Sequence, residues 1–136
     1  MIPNVLRVAL GQAPHCEIFG ADYPTPDGTC VRDYIHIIDL ARAHILAMEP
    51  NRHGFFNLGN GEGYSVREVI QTCEQITGQS IKTLEQLRRH GDPPKLVASA
   101  EKAKKELGWK PEYPKLEDIV GSAWRWHKQN PSGYPD

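Results

Sequence analysis

The run Tyr23-Pro24-Thr25-Pro26-Asp27-Gly28-Thr29 constrains this chain more than any other stretch. Its two prolines fix φ and remove amide donors, and its Asp-Gly pair favours a turn, so no regular element crosses it. Before it, Pro3 suits the first turn of a helix whose apolar stripe is Val5, Leu6, Ala9 and Leu10, ending near Gly11. A short strand over 15–19 follows. After the loop the pattern is extended over 31–37 and then helical. Ile37, Leu40, Ala41, His44, Ile45 and Met48 share one face of that helix, with Asp39 placed as its N-cap.

Ser65-x-x-Glu68 is a capping box opening a helix with Val66, Val69, Ile70, Cys73 and Ile76 on its apolar face, and Gly78 stops it. Further strands are expected at 55–58, 80–87 and 96–98. Ser99 is expected to cap a charged helix through Leu107, closed by Gly108. A last amphipathic helix carries Leu116, Ile119, Val120, Ala123 and Trp124 and ends before Pro131. Short strands and helices without long βαβ runs define a mixed α/β chain.

Composition narrows the function. Sixteen Lys and Arg against 17 Asp and Glu give a net charge of −1, without the basic excess of a nucleic-acid binder. No stretch approaches the roughly 20 apolar residues that a membrane helix needs, and no secretory signal opens the chain. A length of 136 residues suits one domain. Cys16, Cys30 and Cys73 form no CxxC pair and the six histidines form no HxxxH pair, so no disulfide framework or metal site is expected. A cytoplasmic chain is the expectation.

Two polar constellations stand out. In the first, Arg32 enters an apolar strand behind the rigid turn. In the second, Arg88-Arg89-His90-Gly91-Asp92-Pro93-Pro94 sets two arginines before a Gly-Asp turn. Guanidinium groups bind phosphate with two parallel charge-assisted hydrogen bonds, so two of them from distant positions suit a diphosphate. Local ion pairs, Arg32 with Asp33 or Arg89 with Asp92, are the competing structural role. Gly59-Asn60-Gly61-Glu62-Gly63 follows a strand and precedes a helix, but its GxGxG spacing departs from the dinucleotide fingerprint. It reads as a glycine turn feeding a capped helix. No Tyr-x-x-x-Lys pair and no GxSxG nucleophile motif is present.

The run Phe19-Gly20-x-Asp22-Tyr23-Pro24-Thr25-x-Asp27-Gly28-Thr29-x-Val31-Arg32-Asp33-Tyr34-Ile35-His36 closely resembles the UDP-glucose 4-epimerases of the extended short-chain dehydrogenase/reductase family. So do Asn57-Leu58-Gly59, Ser65-Val66, Arg89-x-Gly91-Asp92, Leu107-Gly108-Trp109 and Pro131-x-Gly133-Tyr134, in order along the chain. The resemblance implies a small, mixed α/β substrate-binding domain over 1–136, without the N-terminal Rossmann domain that carries NAD and the catalytic tyrosine. It implies UDP-glucose and UDP-galactose as substrates, NAD as cofactor of the full-length enzyme only, and no catalytic residue or activity in this chain alone.

By family position, Glu17 and Phe19 present backbone groups to uracil, Arg32 and Arg89 hold the diphosphate, and Asp92 accepts from a ribose hydroxyl. Val66 packs on base or ribose, and Leu96 lines the hexose pocket. Leu96 matches neither the large nor the small residue associated with the two sugar specificities, so acceptance of UDP-GlcNAc stays open. Tyr34 and His36 belong to the same motif but are expected in the core. The resemblance also places the segment 34–48 against the missing Rossmann domain, which would leave the 37–48 face bare and prone to self-association. A non-catalytic nucleotide-sugar-binding module is the alternative. A glucuronate epimerase or 4,6-dehydratase is a rival parent, disfavoured by Thr25-x-Asp27-Gly28-Thr29.

Overall fold

The computed structural model describes residues 1–49 and 53–134. Pro3 in the first turn of α1 (Ile2–Ala9) starts a helix that buries Ile2, Val5 and Leu6. β1 (Cys16–Phe19) buries Cys16 and Ile18 and pairs in parallel with β4 (Thr83–Gln86). β2 (Val31–Arg32) is the centre of a second sheet, antiparallel to β3 (Tyr64–Ser65) and parallel to β5 (Lys95–Leu96). The helices are α2 (Ile37–Ala47), α3 (Val66–Thr77) and α4 (Leu116–Gln129), with a π-helical turn at Ala103–Leu107.

The capping box of α3 forms as expected. Ser65 Oγ accepts from Glu68 N at 3.0 Å, and Glu68 answers by accepting from Ser65 N. Gly78 closes the helix at φ +69°, a left-handed conformation that glycine adopts at little cost. The apolar faces of α1, α3 and α4 pack with β1 into one core around Val5, Leu6, Ile18, Val69, Cys73, Leu116 and Val120. The rigid loop before β2 is held from inside. Asp27 accepts from Thr29 N at 2.8 Å, from the Thr29 hydroxyl at 2.7 Å and from the Ser65 hydroxyl.

A second, smaller core lies under α2, where Ala43 meets Ala100, Ala103, Leu107 and a fully buried Trp109. The cap of α2 is His36, not Asp39. Its Nδ1 accepts from Ile38 N at 3.1 Å, which leaves Nε2 to donate to Ser122 Oγ at 2.9 Å. Asp39 lies inside the first turn instead, completely buried, and accepts from Glu112 N and Tyr113 N at 2.9 Å each. Its carboxylate serves a distant loop rather than its own helix.

Other differences from the sequence expectations have equally local causes. Residues 55–58 form no strand, since no strand among the described residues pairs with them; Phe55 stands 95% exposed while Phe56 and Leu58 pack on the second core. The extended stretch after Arg32 leaves the ladder at Asp33, whose carboxylate accepts from Asn60 N and Ala98 N at 3.2 and 3.3 Å. The helix expected from Ser99 shortens to a brief turn that widens into the π segment, with Gly108 at φ +69° closing it as anticipated. The expected strand over 80–87 contracts to Thr83–Gln86, and that over 96–98 moves to Lys95–Leu96.

Candidate functional site

An open cavity of about 530 Å³ lies between α1, the start of β1, the end of β2 and the turn after β4. Its wall contains Glu17, Phe19, Arg32, Val66, Arg89 and Asp92, six of the seven site residues that the sequence proposed. The seventh, Leu96, does not line it. Leu96 pairs in register with Arg32 on the adjoining strand and is 60% exposed, outside the cavity wall.

β1 brings a free edge to this cavity. Cys16 N donates to Lys82 O at 2.8 Å and Gly20 N to Gln86 O at 2.9 Å, so residues of that parity face β4. Glu17 and Phe19 alternate with them and turn their backbone groups toward the opposite edge, which no strand covers among the described residues. The Glu17 side chain is occupied elsewhere, accepting from Gln86 Nε2 at 3.1 Å. What Glu17 offers the cavity is therefore its carbonyl, and what Phe19 offers is its amide.

The charged groups converge from two segments, β2 and the turn between β4 and β5. Arg32 is rooted in the central strand, its Nη1 donating to Val31 O at 2.8 Å and its Nη2 lying 3.4 Å from Asp92 Oδ1. Val31 N donates to Pro94 O at 2.8 Å, and this pairing of β2 with the chain before β5 carries Asp92 to Arg32. Neither sequence-local pair forms: Asp33 is engaged by two amides, and Asp92 faces Arg32 rather than Arg89. Arg89 lies over Phe19, its Cζ 3.6 Å from the ring centroid, and has no carboxylate partner among the described residues. A guanidinium held over a ring face keeps N–H groups free for an anion.

Tyr34 belongs to both core and cavity. It packs against the main core and also lines the wall, and burial pushes its phenol up to about 12, so it remains a neutral donor. Burial likewise pushes the Cys16 thiol up, and the Cys73 thiol up to about 12, which suppresses their thiolates. His36 is buried outside this cavity's wall, as a structural cap. Sequence reasoning missed Asn4, Arg7 and His15 on the cavity wall. The available signal was the polar i, i+3 pair Asn4 and Arg7 opposite the Val5–Leu6 stripe, which looks like any solvent-facing side of a helix.

The glycine turn before α3 packs closely on its own protein at Gly59 and Gly63, with Gly61 open between them. A Cβ at Gly59 would lie 2.3 Å from Asp33 Oδ2 and 2.7 Å from the Ala98 carbonyl oxygen. A dinucleotide's pyrophosphate there would meet the Asp33 carboxylate, so this turn does not fit NAD. Among the described residues no cluster of three His, Cys, Asp or Glu side chains could hold a metal, and no helix is long and apolar enough to cross a membrane.

A mixed α/β chain with a guanidinium-lined cavity beside a free strand edge belongs to the family described as GDP-mannose 4,6 dehydratase, whose model matches residues 1–122. Within that broad class it is similar to UDP-glucose 4-epimerases. That of Halalkalibacterium halodurans is 56% identical over 138 residues, covering 98% of this chain and 41% of the relative. That of Streptomyces lividans is 51% identical over 139 residues, covering 100% and 42%. The crystal structure of the Bifidobacterium longum UDP-glucose 4-epimerase in complex with NAD+ and UDP superposes with a TM-score of 0.92 at 43% identity, covering 98% of this chain and 40% of that one. The chain thus spans about two fifths of the length of the relatives it matches.

Proposed function

We propose that this chain is the C-terminal, UDP-sugar-binding portion of a UDP-glucose 4-epimerase and holds the UDP part of UDP-glucose and UDP-galactose. The observation that carries the reading is the convergence of Glu17, Phe19, Arg32, Val66, Arg89 and Asp92 on one cavity. Arg32 and Arg89 bind the diphosphate, Asp92 accepts from the ribose, and Val66 packs on the nucleoside. The Glu17 carbonyl and Phe19 amide meet the N3–H and a carbonyl oxygen of uracil. Cytosine presents a lone pair at N3 and would oppose the Glu17 carbonyl with it. The cofactor NAD and the catalytic tyrosine belong to a Rossmann domain outside these 136 residues, and the chain alone has no epimerase activity. Three free, buried cysteines suit a cytoplasmic protein.

Calorimetric titration tests the reading. UDP is expected to bind, CDP to bind at least about tenfold more weakly because buried polar groups are left unpaired, and Arg89→Ala to lose most of the UDP affinity. Equal affinity for UDP and CDP, or no UDP binding by the unmodified chain, would refute it. Added NAD and UDP-galactose should give no turnover, and measurable epimerisation would overturn the assignment of catalysis to the missing domain.

The same reading accounts for α2. Its inner face is small and docks on the second core, whereas Ile37, Ile45 and Met48 on its outer face are 74, 66 and 83% exposed. In the full-length enzyme the segment 34–48 packs on the Rossmann domain. Without that domain the bare face drives self-association. Sedimentation velocity is expected to show concentration-dependent oligomers that Ile45→Glu converts to monomer. A monodisperse monomer of the unmodified chain at tens of micromolar would count against both statements.

A further inference from the structure

Among the described residues the Arg89 guanidinium rests on the Phe19 ring, yet such a contact fixes a guanidinium only if the chain on either side is held. On the far side the Asp92 amide donates to Arg89 O at 3.3 Å, closing the Gly-Asp turn. On the near side the ladder's last bond is from Gly20 N to Gln86 O at 2.9 Å, and Leu87 beyond it is 91% exposed, so the two residues before Arg89 need another anchor. Arg88 supplies it. Its Nε donates to Asp22 Oδ1 at 2.7 Å, its Nη2 donates to the Asp22 carbonyl, and its Cζ lies 4.3 Å from the Tyr23 ring centroid. The bond to Arg88 holds the Asp22 carboxyl below its usual range, so the pair stays charged through neutral pH.

The approach of the two segments is close enough to dictate a residue. A Cβ at Gly20 would lie 2.7 Å from Arg88 Cγ and 2.4 Å from Tyr23 Cε2, at a φ of +84° that disfavours any side chain. The result is two adjacent arginine–aromatic layers, Arg88 on Tyr23 and Arg89 on Phe19, joined at Gly20. One layer is locked by a carboxylate and the other keeps its donors free.

The geometry points to Arg88 as a positioning residue: its clasp on Asp22 and Tyr23 aims the Arg89 guanidinium at the diphosphate. This inference rests on the proposed UDP site. Arg88 lies outside the cavity wall and acts through Arg89. Arg88→Ala is expected to lower UDP affinity about tenfold while leaving uridine affinity unchanged, because the lost contact is to phosphate. Asp22→Asn should act in the same direction, and Arg88→Lys, which retains a charge for Asp22, should recover part of the loss. A merely structural role would weaken uridine and UDP together.

A second readout needs no ligand. In the unmodified chain the Arg89 Nε–H resonance is expected upfield, shifted by the Phe19 ring current, and in Arg88→Ala it should return toward the value of a free arginine. Persistence of the upfield shift in Arg88→Ala, or an unchanged ratio of UDP to uridine affinity, would overturn the inference. If the unmodified chain fails to bind UDP, the proposed function falls, and the Arg89 resonance still decides whether Arg88 holds it.

Discussion

Arg32→Ala is expected to weaken UDP binding on the order of 100-fold, the largest loss of any single substitution in the cavity. Arg32 leaves the central strand of its sheet with its side chain 24% exposed, so it is pre-positioned and partly desolvated before ligand arrives. Its removal acts twice. The diphosphate loses a charge-assisted donor, and the Asp92 carboxylate, now 3.4 Å from an absent guanidinium, faces the phosphates unneutralised. The double variant Arg32→Ala, Asp92→Asn should therefore bind UDP more tightly than Arg32→Ala alone, despite the lost ribose acceptor. Arg32→Lys keeps the charge but not the two-pronged geometry and should fall between. Titration calorimetry on the four proteins checks this; a loss below about fivefold for Arg32→Ala would place the diphosphate elsewhere.

Sequence patterns foretold features whose causes are local. Pro3, the Ser65–Glu68 box and Gly78 act within one helical turn, and each stands where the pattern puts it. The cavity wall was legible for a different reason. Arg32 and Arg89 carry no spacing that relates them; guanidinium chemistry suggests the pair, and the resemblance of their surrounding motifs favours it over local ion pairs. Features set by tertiary packing escaped both routes. Asp39 has the residue type of a cap but serves the amides of Glu112 and Tyr113, while His36, a less usual type, caps α2 because Ser122 on α4 fixes its other nitrogen. Arg32 pairs with Asp92 rather than its neighbour Asp33 because a parallel strand pairing, invisible in one dimension, sets them side by side. Asn4 and Arg7 are exposed like any solvent-facing residues, and only the fold sets Ala13, Pro14 and His15 beside them on one cavity wall.

The largest effect on stability is expected at Asp39. Its carboxylate is wholly buried, and its two oxygens satisfy two backbone amides at 2.9 Å each, with Arg42 Nη1 3.8 Å away. Asp39→Ala leaves both amides without acceptors in the interior, at a cost of roughly 1–3 kcal/mol apiece. For a chain of this size such a loss lowers the thermal midpoint by about 10 °C or more. The damage should stay on one side of the molecule. Trp109 Nε1 donates to the backbone oxygen of Asp39 at 2.8 Å, a bond the substitution does not touch, so the second core keeps its anchor. Asp39 and its partners also lie outside the cavity, so UDP affinity well below the new midpoint should equal that of the unmodified chain. Arg42→Ala provides the comparison. Arg42 is 40% exposed and contributes an ion pair at the surface with Glu112, so its loss should shift the midpoint by only a few degrees. Thermal unfolding followed by circular dichroism distinguishes the two. A midpoint for Asp39→Ala within about 3 °C of the unmodified chain would mean that water, not this carboxylate, satisfies the 112–113 amides.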